Sequence, residues 1–390
     1  ANLNLSASQI YPSTLTHFTF ALKNNPDGQI TVSGNSHSDA SPLSAAGQLN
    51  FEAPVINQNG VVKAPFGSIN LSAGSRLTLG ENSLTSVSGA GQLIPFGVIQ
   101  GGFDWLYPLD TNHNLVFKTP PEKELVLSAP SVELAKGSVV DLSGGGDLLA
   151  YEFLPGSGGS YDYLDRNSQS YQGGFAVVPS LASDIAPYDP LQSVGFDYAV
   201  GSKIYLSGTA GLPAGEYTIL PARYALLPGA YLVTPQADTQ DLIATTYTKA
   251  GLPIVAGYQT LAGTDTRDPR WSGFMIESGA DIRKHSEYDE QTANAFYAAQ
   301  ALKNETVTPI LPMDSGRISI AAQDKLALQG EFKVASSGNR GARMDIAANR
   351  LKIVKSLSAT PTAGILEVLA DDLSNLGVDS LFLGGGRSTN

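Results

Sequence analysis

The residues best able to do chemistry lie in "TDTRDPRWSG", residues 264–273, where Asp265 and Asp268 alternate with Arg267 and Arg270 and end on Trp271. Two carboxylates can divide proton donation and acceptance at a glycosidic bond, while arginine holds polar groups and an aromatic ring stacks on a sugar. The same residues also make an ordinary Asp-Pro loop with ion pairs, and that plainer reading is preferred. The chain is therefore expected not to be an enzyme, with a polysaccharide lyase or hydrolase acting through Asp265 to Trp271 as the alternative.

"DLSGGGDLL" sets Asp141 and Asp147 around three glycines, in the manner of a calcium-binding turn. A true array would repeat this unit along the chain, and it does not recur, so turn-forming aspartate is the default and no metal or cofactor is expected. His17, His37, His113 and His285 are far apart and lack ligand spacing. Phosphate-cradling and dinucleotide-binding glycine motifs are missing, as is an Arg-Gly-Asp sequence, since Arg340-Gly341 is followed by Ala342.

Residues 144–200 form the most distinctive surface candidate. They hold seven acids, Asp147, Glu152, Asp162, Asp165, Asp184, Asp189 and Asp197, against the single base Arg166. They also carry Tyr151, Phe153, Tyr161, Tyr163, Tyr171, Phe175, Tyr188, Phe196 and Tyr198. Aromatics on a long loop can touch sugars or proteins, but a loop folded back on its own scaffold needs them as anchors, and anchoring is the preferred reading. The candidate surface contacts are Tyr151, Tyr161, Tyr163, Tyr171, Arg270 and Trp271.

The elements that must position these residues are short strands. "GSINLSAGSRLTLG" is apolar at Ile69, Leu71, Leu77 and Leu79 and polar between them, the period of a half-buried strand, and "SAGS" allows a corner. "GQITVSG" at Gly28, "GQLNFEA" at Gly47 and "GSINLSA" at Gly67 repeat one pattern at spacings of 19 and 20 residues. Within "KELVLSAPSVELAKGSVVDLSG" the inward pairs Leu125/Leu127, Val132/Leu134 and Val140/Leu142 recur after 7 and 8 residues. Three strands per turn of about 20 residues follow, the spacing of a coiled parallel arrangement rather than of hairpins with recurrent Asn-Gly turns.

The rhythm divides the chain into N-terminal turns at 1–143, a Gly/Tyr/Asp-rich excursion at 144–200, further turns at 201–233, a loop and helix excursion at 234–315, and C-terminal turns at 316–390. The helix is expected in "SEYDEQTANAFYAAQALKN", capped by Ser286, with Tyr288, Thr292, Ala295, Phe296, Ala299 and Leu302 on one packing face.

Composition narrows the function classes. A net charge of −12, with no dense Lys/Arg run, opposes nucleic-acid binding. Zero cysteines remove disulfides and thiol chemistry. The chain has 41 glycines in 390 residues and only 15% charged residues. Those values sit above the usual ~7% glycine and below the usual ~25% charge, which points to a turn-dense, β-rich chain. No apolar run reaches the ~20 residues of a membrane-spanning helix. The opening "ANLNLSASQIYP" and the ending "LFLGGGRSTN" suggest a processed product or a piece of something longer.

In "APFGSINLSAGSRLTLGENSLTSVSG", "DLSGGGDLLAYEFLPGSGGSYDYL" and "YTILPARYALLPGAYLV" the sequence resembles filamentous-haemagglutinin-like large exoproteins of Gram-negative bacteria. The resemblance runs from about Gly28 to Val233 and continues by rhythm beyond. It implies a right-handed parallel β-helix, an all-β solenoid with two inserted excursions, the second containing one α-helix. It also implies two-partner secretion through an outer-membrane barrel and a place outside the cell, at the cell surface. The family's Asn-Pro secretion motifs are represented only by the echo at Asn25-Pro26, so the chain reads as a shaft segment. Its expected role is adhesion, biofilm or filament formation, with a cell-surface glycan or protein, or neighbouring copies end to end, as partners.

Overall fold

A computed structural model describes residues 2–23, 25–34, 41–109, 113–156, 159–181, 201–237, 239–261, 264, 266–338 and 340–387. Strand takes 45% of the chain and helix 8%, which makes the protein all-β, and much of the pairing is parallel. Five sheets are present among these residues.

The largest sheet and a four-stranded sheet contain three parallel ladders. The first ladder joins His17–Ala21, the first half of Gln48–Asn59, the first half of Ser68–Leu79, Glu124–Ser128, Arg317–Ala321, Arg343–Ala347 and Ser380–Leu383. Its register aligns Phe18, Leu49, Ile69, Leu125, Ile318, Met344 and Leu381 in one row. Two residues on, Phe20, Phe51, Leu71, Leu127, Ile320, Ile346 and Leu383 form a second row. Alternate residues of a strand share a face, so a parallel register stacks like on like and fills one apolar core from each strand in turn.

The second ladder joins Leu3–Ser6, Gln29–Ser33, the far halves of Gln48–Asn59 and Ser68–Leu79, Ser131–Leu134 and Lys325–Leu328. The third joins Val61–Lys63, Leu84–Ser86, Val139–Asp141 and Glu331–Lys333. Four times the chain passes through all three ladders in order, and the two long strands each serve two of them, their register shifting at a corner between Ala53 and Val55 of one and Ala73 and Arg76 of the other. Gly67 marks another tight point: a Cβ there would sit 2.2 Å from the Gly47 carbonyl oxygen, so only glycine lets these neighbouring segments approach.

One inward position is polar. Gln58 lies in the row of Leu5, Val32, Leu79 and Leu134 and is fully buried. Its amide nitrogen donates to the carbonyls of Gly60 and Leu84 and to Thr85 Oγ1, and its oxygen accepts from Gly60 N–H. A buried amide that meets this many partners stabilises the corner where an unpaired one would cost free energy.

The inward pairs expected from alternation are buried, but the repeat frame needs correction. Gln29–Ser33 pairs with Val55–Asn59, so the Gly28 motif belongs to the second ladder while the Gly47 and Gly67 motifs belong to the first. Alternation marks which face a residue takes; it carries no information about which neighbour completes the ladder. Near the end of the chain the alternation loses its meaning: Ile353 is half exposed on Leu351–Val354, whose ladder partner is Leu366–Leu369.

Residues 201–233 do not continue the parallel ladders. Lys203–Leu206, Gly215–Thr218 and Tyr231–Gln236 lie in a seven-stranded antiparallel sheet with Phe175–Val177, Thr246–Tyr247, Pro253–Thr260 and Ser272–Ser278. This sheet has its own core of Phe175, Val177, Ile204, Leu206, Ile219, Val233, Val255, Phe274 and Ile276. A further five-stranded sheet orders Asn114–Phe117, Asp104–Pro108, Leu93–Gln100, Asp147–Leu154 and Glu287–Thr292, thereby drawing on the 1–143, 144–200 and 234–315 stretches.

The expected helix over 286–304 is split. Glu287–Thr292 is a strand, because its backbone groups pair antiparallel with Leu149–Leu154, and the helix occupies Ala293–Lys303. Ser286 does not cap that helix; it ends the preceding helix Gly279–His285, its N–H donating to the Ile282 carbonyl, while its Oγ donates to the Tyr161 carbonyl and accepts from Tyr163 N–H. Phe296 and Tyr297 pack on Trp105, whereas Leu302, expected on the packing face, is 83% exposed. Two shorter helices, Gly279–His285 and Ala370–Ser374, were not expected; the first starts from a Ser278/Asp281 capping box. Among the described residues no helix is long and apolar enough to cross a membrane.

Candidate functional site

The strongest site lies on the outer face of the antiparallel sheet. Ile204 and Leu206 turn into its core, so Tyr205 between them turns out, and the register sets Tyr205 opposite Tyr258 on the neighbouring strand. Their rings stack with centroids 5.0 Å apart and planes at 11°. Trp271, just before the strand Ser272–Ser278, stands at 83° to Tyr205 and 84° to Tyr258, with centroid distances of 5.8 and 4.8 Å. The indole plane thus stands perpendicular to the two stacked phenol rings and close to both, with Trp271 only partly buried among them.

Charged groups border this aromatic surface. The Arg267 guanidinium sits 4.6 Å from the centre of the Tyr258 ring, a cation–π contact. Arg270 Nη1 donates to Gln240 Oε1 at 2.7 Å. Asp268 Oδ2 accepts from Gln259 N–H at 3.2 Å while its own N–H donates to the Gln259 carbonyl. The Asp241 N–H donates to the Trp271 carbonyl, tying the backbone at the indole to the adjoining loop. Among the described residues neither Arg267 nor Arg270 forms an ion pair, so the loop of paired charges expected here is not what these arginines make. Asp265 lies outside the described residues.

Of the six expected contact residues, Arg270 and Trp271 belong to this surface. Tyr161 is exposed but is distant in the chain and lies on a different segment. Tyr151 and Tyr163 are corrected to core residues, at 9% and 7% exposure. Tyr163 donates to the fully buried carboxylate of Glu277 at 3.0 Å and stacks on His285, which meets the other oxygen of Glu277 at 2.9 Å. Burial first, then the Glu277 charge, pushes the Tyr163 phenol up. Tyr171 donates to the Gly174 carbonyl, and burial pushes it up to about 12. Tyr288 donates to Asp162 at 2.6 Å, and burial raises the Asp162 carboxyl. These rings anchor the 160s segment as packing requires; Asp184, Tyr188, Asp189, Phe196, Asp197 and Tyr198 lie outside the described residues.

The carboxylates around the triple glycine are engaged by protein donors. Asp141 accepts from Ser86 Oγ and Ser143 N–H, and Asp147 accepts from Leu148 and Asn294 N–H groups. Desolvation raises the Asp147 carboxyl beside a cavity of about 660 Å³ that Asp314 and Arg340 also line. Asp314 there accepts from the N–H groups of Leu311 and Arg340, so both acids hold backbone. Among the described residues no group of three or more metal-type ligands gathers. His17 and His113 are exposed and lie on separate segments, and His37 is outside the described residues.

Tyr205 and Tyr258 escaped the reading of the sequence because each is a lone tyrosine far from Trp271. The available signal was modest: in "KIYL", a large aromatic takes the outward beat between two core residues. Comparison with protein-family models, with curated proteins and with solved structures finds no match.

Proposed function

We propose that this chain is a segment of an exported adhesive rod of the bacterial cell surface, of the filamentous-haemagglutinin kind, and that it does its work by contact without catalysis. In this reading the three parallel ladders are the faces of a right-handed parallel β-helix, each pass of the chain through them is one turn, and the antiparallel sheet of residues 175–278 is a lateral contact module. The observation that carries the reading is the register of the first ladder, in which seven strands stack equivalent apolar residues in the same direction. Such stacking supplies length from local contacts and suits a chain that folds after passing unfolded through an outer-membrane barrel.

The outermost strands favour continuation of the stack. Phe18 holds an inward position yet is 52% exposed, since no strand covers that side of His17–Ala21 among the described residues. Such an edge accepts another parallel strand, which suits filament or biofilm architecture.

The test uses beads coated with the protein and offered to cell surfaces and to immobilised polysaccharides. Retention without release of new reducing ends or unsaturated sugar products is expected. Product release abolished by Asp268→Ala would replace the rod with the lyase or hydrolase reading.

A further inference from the structure

The arginines beside the indole narrow what this surface takes. In a chain of net charge −12, Arg267 and Arg270 are exposed and have no acidic partner among the described residues. Both are nonetheless held: one lies over the Tyr258 ring and the other on Gln240. Guanidinium groups held in place and left without a carboxylate among the described residues match a carboxylate from outside, because the planar fork donates two parallel hydrogen bonds and little side-chain entropy remains to be lost.

The rings set the rest of the ligand. Trp271 is only partly buried, and the π-cloud of its indole suits the C–H face of a sugar ring. Gln240, which accepts from Arg270, and Asp268, which accepts from Gln259 N–H, are the polar groups of this stretch that remain for hydroxyls. Glu216 faces Tyr205 from the next strand and is exposed, so negative charge bounds the aromatic surface on that side. That boundary, with the chain's overall charge, disfavours a densely sulfated polyanion and favours a sugar with one carboxylate per ring.

We propose that Trp271, Arg267 and Arg270 form a binding site for a carboxylated sugar of an acidic glycan, the ring stacked on the indole and the carboxylate on the guanidinium groups. The proposal rests on the adhesion reading for its purpose, and on the geometry of the sheet alone for its chemistry.

The test exploits tryptophan fluorescence. The chain has two tryptophans, and Trp105 is 1% exposed, so quenching by acrylamide reports on Trp271. A galacturonate hexamer is titrated beside its carboxyl-reduced counterpart, with 3′-sialyllactose as a second source of a sugar carboxylate. The hexamer is expected to protect Trp271 from quenching and to bind at least about tenfold more tightly than the reduced form, as charge-assisted hydrogen bonds imply. Arg267→Ala with Arg270→Ala is expected to abolish that preference, and Trp271→Ala, read by calorimetry, to abolish binding of both oligosaccharides. Because the arginines are exposed, the double variant decides the matter even where Trp271→Ala fails to fold. Failure of the hexamer to protect Trp271, equal affinity for the reduced form, or an unchanged preference in the double variant overturns the site. Retention of the coated beads by cells in that same variant locates adhesion elsewhere and leaves the rod reading standing; loss of retention by the wild-type beads removes the rod reading itself.

Discussion

At the scale of single residues, the most consequential group outside the aromatic surface is Lys123. It is 3% exposed, donates from Nζ to the carbonyls of Pro312 and Asp314, and lies 5.7 Å from the Phe66 ring centre. It thus clamps the place where the chain rejoins the first ladder after leaving it for most of two hundred residues. Burial lowers its pKa from 10.5 to about 8, against the opposing pull of Asp314 and Asp141. Between those two values the unfolded chain holds the proton that the folded chain has released, so stability rises with pH across that window and is flat below it. The full effect is up to about 3 kcal/mol. Urea midpoints measured from pH 7 to 9.5 are expected to climb more steeply in the wild type than in Lys123→Met; parallel curves would show that the clamp does not titrate there.

At the scale of elements, inward and outward positions of one strand differ sharply in cost. Ile69 is fully buried between Leu49 and Leu125 in the first ladder, whereas Asn70 beside it is on the outer face. Ile69→Ala is expected to cost about 2–5 kcal/mol, through lost burial and the cavity left in a stack that cannot close along its length. Asn70→Ala should stay within about 0.5 kcal/mol. Denaturant unfolding compares the two, and similar losses at both positions would contradict the two-faced strand. The helix–strand split at Glu287–Thr292 and Ala293–Lys303 belongs to this scale as well, since a residue run with helical spacing gave its first half to a sheet that offered partners for every other backbone group.

At the scale of the molecule, strand direction distinguishes a continuing stack from a sandwich. The chain has no cysteine, so introduced pairs react without background. Ser72 aligns with Ser128 while Glu124 aligns with Ser68, and neighbouring strands lie about 4.8 Å apart. A short thiol cross-linker is expected to join Ser72→Cys to Ser128→Cys and to leave Ser72→Cys with Glu124→Cys unjoined, as mass spectrometry would read. The reverse pattern would mean that these strands run in opposite directions, and the rod reading would fall with it.

The sequence by itself determined which residues face inward: Leu49/Phe51, Ile69/Leu71, Leu125/Leu127 and Val132/Leu134 are all buried. That property depends on the two-residue period of a single strand, which is local. Only the tertiary structure decided which strands neighbour one another, so that Gly28 begins a strand of the second ladder and residues 203–236 join an antiparallel sheet. Parallel and antiparallel strands share the same alternation, and their partners are chosen by cores that assemble between distant segments. The aromatic surface followed the same rule: Trp271 and its arginines stood out in one short stretch, while Tyr205 and Tyr258, which hold the indole in place, reach it only through strand pairing.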